Sequence, residues 1–598
     1  MKSNASRLKT THKDIEDLLL LNNINPYLNK TIKLELKMIK ETLQDTNIDN
    51  IKPEILEYLV SKYTQYLLPN SGLGNTFLNL SENLFKSLAL LRKNANFTAC
   101  IDSKIDCELN LKEIPQQGIS IETVIHHIII KYLSDVPNYS SNYVPLNVIP
   151  PSLIPSILAK FACAIINPNL AYESYAGKAI EAEQLAISHI AKIIGFEPEK
   201  ALGYFTSGGS SGNYWAIRCA LEKAFPGWGK KGFKSFLDKE PVIIQSILGH
   251  YTNINAARLL GIGTDNVITV PTKQNFGICL KAFKLQMEKA IKDKKQVICI
   301  YLIAGCTDSF GVDDIKGVFD IREELCQKYS ISKPHLHVDA AVGWIYGIFK
   351  NYSVNDNPLG FDLETIATIK SLNNLYSNLR YADSVIVDPH KHGFTSYTSS
   401  ALIFKNKKDL LLLQKDLEET PYFTEDSFCS FPGAYTPETS RPADGPLMLL
   451  SNLYALGYEG YQTIIGYAIQ QTNALKSKLE FNFSKSLQIL NKDVPGTSTI
   501  WRFYPNGTDR EKAHTRELFG TTQEDALFIQ QINEYNYRLF LEAKSLRGNK
   551  TPILGYSNQV IIGKSGIPIS GWKCIIFHPL VDINSIISHL INVFNNEN

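Results

Sequence analysis

The sequence predicts an α/β fold built on a mostly parallel sheet. Short runs of β-branched and aliphatic residues, such as Val297–Leu302 and Ser384–Val387, alternate with stretches of helical periodicity. This alternation predicts parallel strands that are covered on both faces. Three polar residues, Thr307, Asp339 and Lys391, follow predicted strands. Ligands bind beyond the carboxyl ends of the strands in such sheets, so we expect a ligand site at that edge.

Length and composition limit the possible classes of protein. A chain of 598 residues predicts about three or four domain-sized units. A formal charge of +2 creates no global field that would favour nucleic acid or an anionic membrane surface. No run reaches the roughly 18 apolar residues that span a bilayer, and the N-terminal apolar run is too short for a secretory signal. We therefore expect a cytoplasmic protein with no nucleic-acid partner and no membrane insertion.

The ten cysteines are scattered along the chain, with no CxxC pair and no His/Cys ligand spacing. This pattern indicates neither a disulfide framework nor a structural zinc site. A reducing cytosol is the simplest interpretation, and we expect no metal.

Residues 1–141 are rich in Lys, Leu, Asn and Ile. Segments such as Glu35–Leu43 and Ile55–Leu67 carry apolar residues at three- and four-residue spacings, which predicts amphipathic helices. We expect a helical extension that packs on the main body or on a second subunit, although an independent binding module stays possible.

A glycine- and serine-rich turn occurs early in the region that follows. Residues 204–213, YFTSGGSSGN, run directly into helical sequence. The free backbone N–H groups of such a turn can hold a phosphate, which makes Gly208, Gly209 and Ser210 candidate ligands. Ordinary helix capping is the alternative explanation of the same residues.

A lysine is presented where a buried strand ends. The run Ser384–Val387 stops at the segment 388–393, DPHKHG, where proline and glycine prevent further regular pairing. Lysine forms Schiff bases with carbonyl compounds and becomes nucleophilic when burial or a neighbouring cation lowers its pKa. Histidines flank Lys391 on both sides. The alternative is a solvated loop lysine.

An electron-sink cofactor of the pyridoxal phosphate type needs a Schiff-base lysine, an acid at the pyridine nitrogen, a phosphate cradle and a group that fixes the ring. Lys391 and the glycine-rich turn offer two of these. Asp339, followed by Ala340 and Ala341, could keep the pyridine nitrogen protonated, or it could be a helix N-cap.

The order of motifs resembles the group II pyridoxal-phosphate-dependent amino acid decarboxylases, which have the fold of type I pyridoxal phosphate enzymes. The motifs that carry the resemblance, from residue 142 to about 460, are TSGGSSGN, GHYTN, AGCTDSFGVDDI, HVDAA, DPHKHG and TSRPADG.

The resemblance implies a role for each site residue. Lys391 would be the Schiff-base lysine, Asp339 would face the pyridine nitrogen and His250 would stack on the ring. The remaining implied cofactor ligands are Ala341 beneath the ring, Thr307 near the cofactor or the substrate carboxylate, and, around the phosphate, Gly208, Gly209, Ser210 and Asp388. His390 is a further predicted cofactor-binding residue.

In the same family a tyrosine on a loop about thirty residues after the lysine donates a proton to the substrate Cα after CO2 has left. Tyr422, 31 residues after Lys391, occupies the corresponding place. It could instead only anchor its loop, and Tyr435 is the nearest competitor.

The chain departs from the family pattern at Cys306, where paired threonines are usual, and at Thr398 to Ser400. Sphingosine-phosphate lyase has a similar layout and cleaves a carbon–carbon bond, and a non-catalytic scaffold is a further alternative.

Together these features predict a helical extension (1–141), a large cofactor-binding domain (142–447) and a smaller α+β domain (448–598). We expect a homodimer with active sites at the interface that decarboxylates an L-amino acid, with an aromatic side chain favoured by family frequency.

Overall fold

The computed structural model describes residues 56–596 except 58, 65, 70–71, 94–95, 98–112, 116–117, 237, 420–430, 547 and 549. The described residues fall into two units, one from Met1–Ala89 and Asp106–Tyr132 and the other from Leu90–Ile105 and Leu133–Asn598. The predicted helix Glu35–Leu43 and Tyr422 lie outside the described residues.

The first unit is helical where it is described. Residues 59–64 are helical. Helix α1 (Asn75–Leu91) follows, and α2 (Ile121–Val124) continues into a π-helical turn, Ile125–Ile130. The helical extension over residues 1–141 stays a prediction.

A seven-stranded sheet with the order β1-β7-β6-β5-β4-β2-β3 forms the centre of the second unit. Strands β2 to β6 are parallel to their neighbours in this set, whereas β7 is antiparallel to both β1 and β6. The strands are β1 (Leu202–Thr206), β2 (Pro241–Ser246), β3 (Val267–Val270), β4 (Gln296–Ile303), β5 (His335–Asp339), β6 (Ser384–Val387) and β7 (Ser400–Phe404). The prediction of an α/β fold with a mostly parallel sheet is therefore confirmed.

Helices cover both faces of this sheet, which is why its strands are apolar along their whole length. Alternate strand residues point to opposite faces: Ile300 joins the larger core cluster, and its neighbour Tyr301 joins a second cluster on the other face. The helices of this part are α3 (Ile154–Ile166), α4 (Glu173–Ala176), α5 (Ala179–Ile194), α6 (Gly209–Ala224), α7 (Trp228–Lys231), α8 (Thr252–Leu259), α9 (Leu280–Lys292), α10 (Ile315–Tyr329), α11 (Leu363–Tyr376), α12 (Lys407–Leu411) and α13 (Pro432–Tyr435).

A long helix leads from the large sheet to a smaller one. Helix α14 (Asp444–Asn482) contains a break at Gly457, whose φ of 61° is not helical. The antiparallel sheet beyond it has the order β10-β11-β9-β8. Its elements are β8 (Leu487–Ile489), β9 (Ser498–Phe503), α15 (Arg510–Phe519), α16 (Gln523–Ser545), β10 (Gly555–Ile562), β11 (Pro568–Ile575) and α17 (Ile583–Asn596).

The small sheet has its own core, centred on the buried side chains of Trp501 and Trp572. The two sheets also touch, because Lys573 of β11 lies 2.8 Å from Asp308 in the turn after β4.

Among the described helices, none combines the length and the apolar character that a bilayer crossing needs.

Candidate active site

Lys391 lies in the connection between β6 and β7, at the carboxyl end of the parallel strands. Its ammonium is 3.1 Å from the Asp388 carboxylate, and only 15% of the side chain is exposed. Helix α14 holds the connection in place, since the side chains of Asn452 and Tyr461 both donate hydrogen bonds to the Gly393 carbonyl. The lysine is therefore a buried, positioned group and not a solvated loop residue.

The structure corrects the expectation that burial or flanking cations lower the pKa of Lys391. Burial does act in that direction, but the nearby carboxylates of Asp388 and Asp339 outweigh it and raise the pKa above its usual value. The flanking histidines supply no opposing charge, because burial lowers the pKa of both His390 and His392. Lys391 is thus a cation paired with Asp388.

Asp339 ends β5, and both oxygens of its carboxylate accept hydrogen bonds. One oxygen accepts from the Tyr301 hydroxyl at 2.5 Å and from the Asn213 amide at 3.0 Å. The other accepts from the Ala341 N–H at 3.1 Å. Burial opposes ionisation, but Lys391, the Tyr301 hydroxyl and His250 together lower the pKa of Asp339 below its usual value. The carboxylate is therefore negative at neutral pH.

Asn213 connects the acid to the rest of the site. Its amide group also donates to the Thr252 hydroxyl at 3.3 Å, and its oxygen lies 2.9 Å from His337 Nε2. Thr252 in turn lies 3.1 Å from His250 Nδ1. Burial lowers the pKa of His250, so its ring is neutral. The charges of Asp339, Lys391 and Asp388 also act on this pKa.

The glycine-rich turn opens α6 with free donors. No side chain caps this helix, whose N-cap residue is Gly208. A methyl group added to Gly209 would lie 2.9 Å from Asp388 Oδ1, so the turn directly borders the Asp388 and Lys391 segment. The sequence motif therefore faces the lysine, as a phosphate cradle would require.

The structure thus brings together most of the predicted site residues. Those that share contacts or act on one another's charge are Lys391, Asp388, His390, Asp339, Ala341, His250 and Gly209. Gly208 and Ser210 adjoin Gly209 in the same turn. Asp339 is not a helix N-cap, since β5 ends there and the next helical residues begin at Trp344.

Thr307 and Tyr435 stand apart from this set. Thr307 lies half-buried in the turn after β4 and, in the part of the chain that the structure describes, makes no hydrogen bond to Lys391, Asp339 or His250. Tyr422 lies outside the described residues. Its competitor Tyr435 is buried in a core cluster with Tyr204, which removes it from any open pocket.

Sequence reasoning assigned no role to several residues that contact the site. Tyr301 lies within β4 and belongs to no motif. Only the pairing register of β4 with β5 would have indicated that it is near Asp339. Asn213 belongs to the TSGGSSGN motif, and its place one turn after the glycines was an available signal. The ring of Tyr397 lies 4.1 Å from that of His390, and this tyrosine is 45% exposed.

The donor set suits pyridoxal phosphate. A buried lysine, an ionised acid with three donors, a neutral histidine ring and a turn of free N–H groups are the four features that this cofactor needs. The described residues contain no group of His, Cys, Asp or Glu side chains that could hold a metal ion.

The model of the pyridoxal-dependent decarboxylase conserved domain matches residues 107–354. This stretch of the chain is similar to that family. The matched stretch includes the cradle, His250 and Asp339 but ends before Lys391, so the assignment of the lysine depends on the geometry described above.

Curated relatives agree with the family. An aspartate 1-decarboxylase of Aliivibrio fischeri is 28% identical over 287 residues, covering 46% of each chain. An L-tyrosine decarboxylase of Enterococcus faecium is 23% identical over 320 residues, covering 50% of this chain and 49% of the relative. The matches therefore span about half the length of these relatives.

A solved structure shares the fold over most of the chain. The glutamate decarboxylase domain of a diaminobutyrate-pyruvate transaminase and L-2,4-diaminobutyrate decarboxylase from Vibrio parahaemolyticus has a TM-score of 0.68 at 17% identity. The alignment covers 90% of this chain and 99% of that one. The likeness confirms the fold that the sequence predicts.

Proposed function

We propose that the chain is a pyridoxal-phosphate-dependent decarboxylase of L-amino acids. The observation that carries the proposal is the pairing of Lys391 with Asp388 beside the ionised Asp339, directly against the glycine-rich turn. When bound, pyridoxal phosphate supplies an electron sink that accepts the electron pair left by the departing CO2. The family match and the names of the relatives support this activity.

Each residue has a defined task on this proposal. Lys391 would hold the cofactor through Nζ, and Asp339 would pair with the pyridine nitrogen and keep it protonated. His250 would lie against the ring, and the N–H groups of Gly209 and Ser210 would bind the phosphate. Tyr422 stays the predicted donor of a proton to the substrate Cα, because a positioned acid decides where the proton goes.

We further propose an aromatic substrate side chain. The carboxylates of Asp339 and Asp388 both act on Lys391. This excess of negative charge disfavours an acidic substrate side chain beside it. The partly exposed ring of Tyr397 offers an aromatic surface instead.

A substrate panel tests both levels of the proposal. Purified protein with pyridoxal phosphate is incubated with each of the twenty L-amino acids, and the amine and CO2 are quantified. We expect Tyr, Trp or Phe to give the highest kcat/KM. A higher value for Asp or Glu would refute the aromatic preference alone, whereas aldehyde formation without CO2 would refute decarboxylation.

We also propose a homodimer that brings the site to an interface. Helix α3 exposes apolar side chains on one face, with Ile154 at 72% and Leu158 at 61%. Lys160 of the same helix donates to the Tyr397 carbonyl, so the helix adjoins the site. Leu158→Asp should yield an inactive monomer in sedimentation, and the matched control Leu363→Asp, on an exposed position of α11, should stay dimeric.

We also propose that the protein is cytoplasmic. The seven cysteines in the described part of the chain are all free thiols, which is typical of a reducing compartment.

A further inference from the structure

The glycine-rich turn carries a carboxylate as well as its donors. Glu438, in the segment before α14, accepts a hydrogen bond from the Ser211 hydroxyl at 2.7 Å and a longer one from Ser207 at 3.4 Å. Both serines belong to the turn that faces Asp388 and Lys391. A negative side chain therefore occupies hydroxyl donors beside the place where a phosphate would bind.

This carboxylate is poorly compensated. Its second oxygen, Oε2, is buried and has no hydrogen-bond partner in the described part of the chain. The nearby cation Lys415 does interact with Glu438. However, its ammonium donates to the carbonyls of Gly433 and Thr436 and to the Thr439 hydroxyl.

The next cation along the chain is also committed elsewhere. Arg441 forms a buried ion pair with Glu183 and donates to the Phe205 carbonyl. This pair fixes the Glu438 segment against the end of β1, so Glu438 is held near the turn. An uncompensated buried carboxylate oxygen is costly, and a group of this kind in a native protein asks for an explanation.

We infer that Glu438 competes with the cofactor phosphate for the hydroxyls of Ser211 and Ser207. This inference rests on the proposed function. Phosphate and carboxylate use the same donors and carry charge of the same sign. Binding of the phosphate then requires that the Glu438 carboxylate release the hydroxyls of Ser211 and Ser207. The affinity for the cofactor is therefore lower than the turn alone would provide.

The test is a titration of the full chain, freed of cofactor, with pyridoxal phosphate, followed by visible absorbance to obtain Kd. Glu438→Gln keeps an oxygen that accepts from the serines but removes the charge. We expect its Kd to fall by about tenfold or more, since a like charge within a few ångströms is worth at least that much in a partly buried site. Glu438→Met removes the charge without adding a donor and should bind more tightly than wild type as well.

Two controls make the test specific for the phosphate. Pyridoxal, which lacks the phosphate, should bind wild type and Glu438→Gln equally. Glu197→Gln, at an exposed residue paired with Lys200 on the surface, should leave the Kd of pyridoxal phosphate unchanged.

Several outcomes would overturn the inference. If wild type binds pyridoxal phosphate and neither variant binds it more tightly, Glu438 does not compete. An equal gain for pyridoxal and pyridoxal phosphate would show that the effect does not pass through the phosphate. Absence of binding in every variant would overturn the proposed function together with this inference, so the two failures are distinguishable.

Discussion

Replacement of Asp339 by Asn gives the sharpest test of the site. The carboxylate receives three donors, from Tyr301, Asn213 and the Ala341 N–H. The asparagine amide has only one acceptor oxygen. Its NH2 group would point at a donor that now bonds to the second carboxylate oxygen. We expect a loss of unfolding free energy of about 1–3 kcal/mol, the cost of leaving a buried donor unsatisfied.

The effect on catalysis should be much larger. The Asn213 bond shows that a partner can approach this carboxylate to 3.0 Å. At an effective dielectric constant of about 20, opposite charges about 3 Å apart attract by about 5 kcal/mol. Loss of that attraction at the pyridine nitrogen corresponds to about four orders of magnitude in kcat.

The assay compares kcat and thermal stability of Asp339→Asn with those of Asp313→Asn. Asp313 is another buried acid, in the loop after β4, which accepts from the backbone N–H groups of Ile303 and Ile278. Burial raises its pKa to about 7. The control should lose stability but keep its kcat. A kcat of Asp339→Asn near wild type would refute the reasoning and mean that another residue meets the ring nitrogen.

Three further predictions follow from named residues. Lys391→Ala should fold but lose the visible cofactor absorbance and turnover, and comparable turnover would contradict its role. Tyr422→Phe should release CO2 but form less amine and more carbonyl product, whereas Tyr435→Phe should not; equal amine yields would remove Tyr422 from the mechanism. Burial lowers the pKa values of His335 and His337 to about 3 and about 4. The unfolded state therefore binds more protons below pH ~6.5, and stability should fall as the pH drops from about 6.5 toward 4. Denaturation at pH 7 and pH 5 measures this fall, and His335→Phe should reduce it; an unchanged slope would show that His335 does not contribute.

The elements with strong local signals were predictable from the sequence. The predicted strands Val297–Leu302 and Ser384–Val387 lie where runs of β-branched and aliphatic residues indicated, the first within β4 and the second as β6. The strands β1 and β7 were missed. In the sheet β7 lies between β1, which leads into the glycine-rich turn, and β6, which leads into the lysine loop, and no local pattern identifies these distant strands as neighbours.

The sequence by itself determined the fold class and the identity of the reactive groups, because strand ends, glycine turns and residue chemistry are local properties. Only the tertiary structure decided their charge states and partners. The pKa of Lys391 is raised, contrary to expectation, because Asp388 and Asp339 come within range of it through folding. Glu438, about 230 residues from the serines that it contacts, is likewise a neighbour of the turn only in three dimensions. Electrostatic interaction depends on distance in space, and distance along the chain does not predict it.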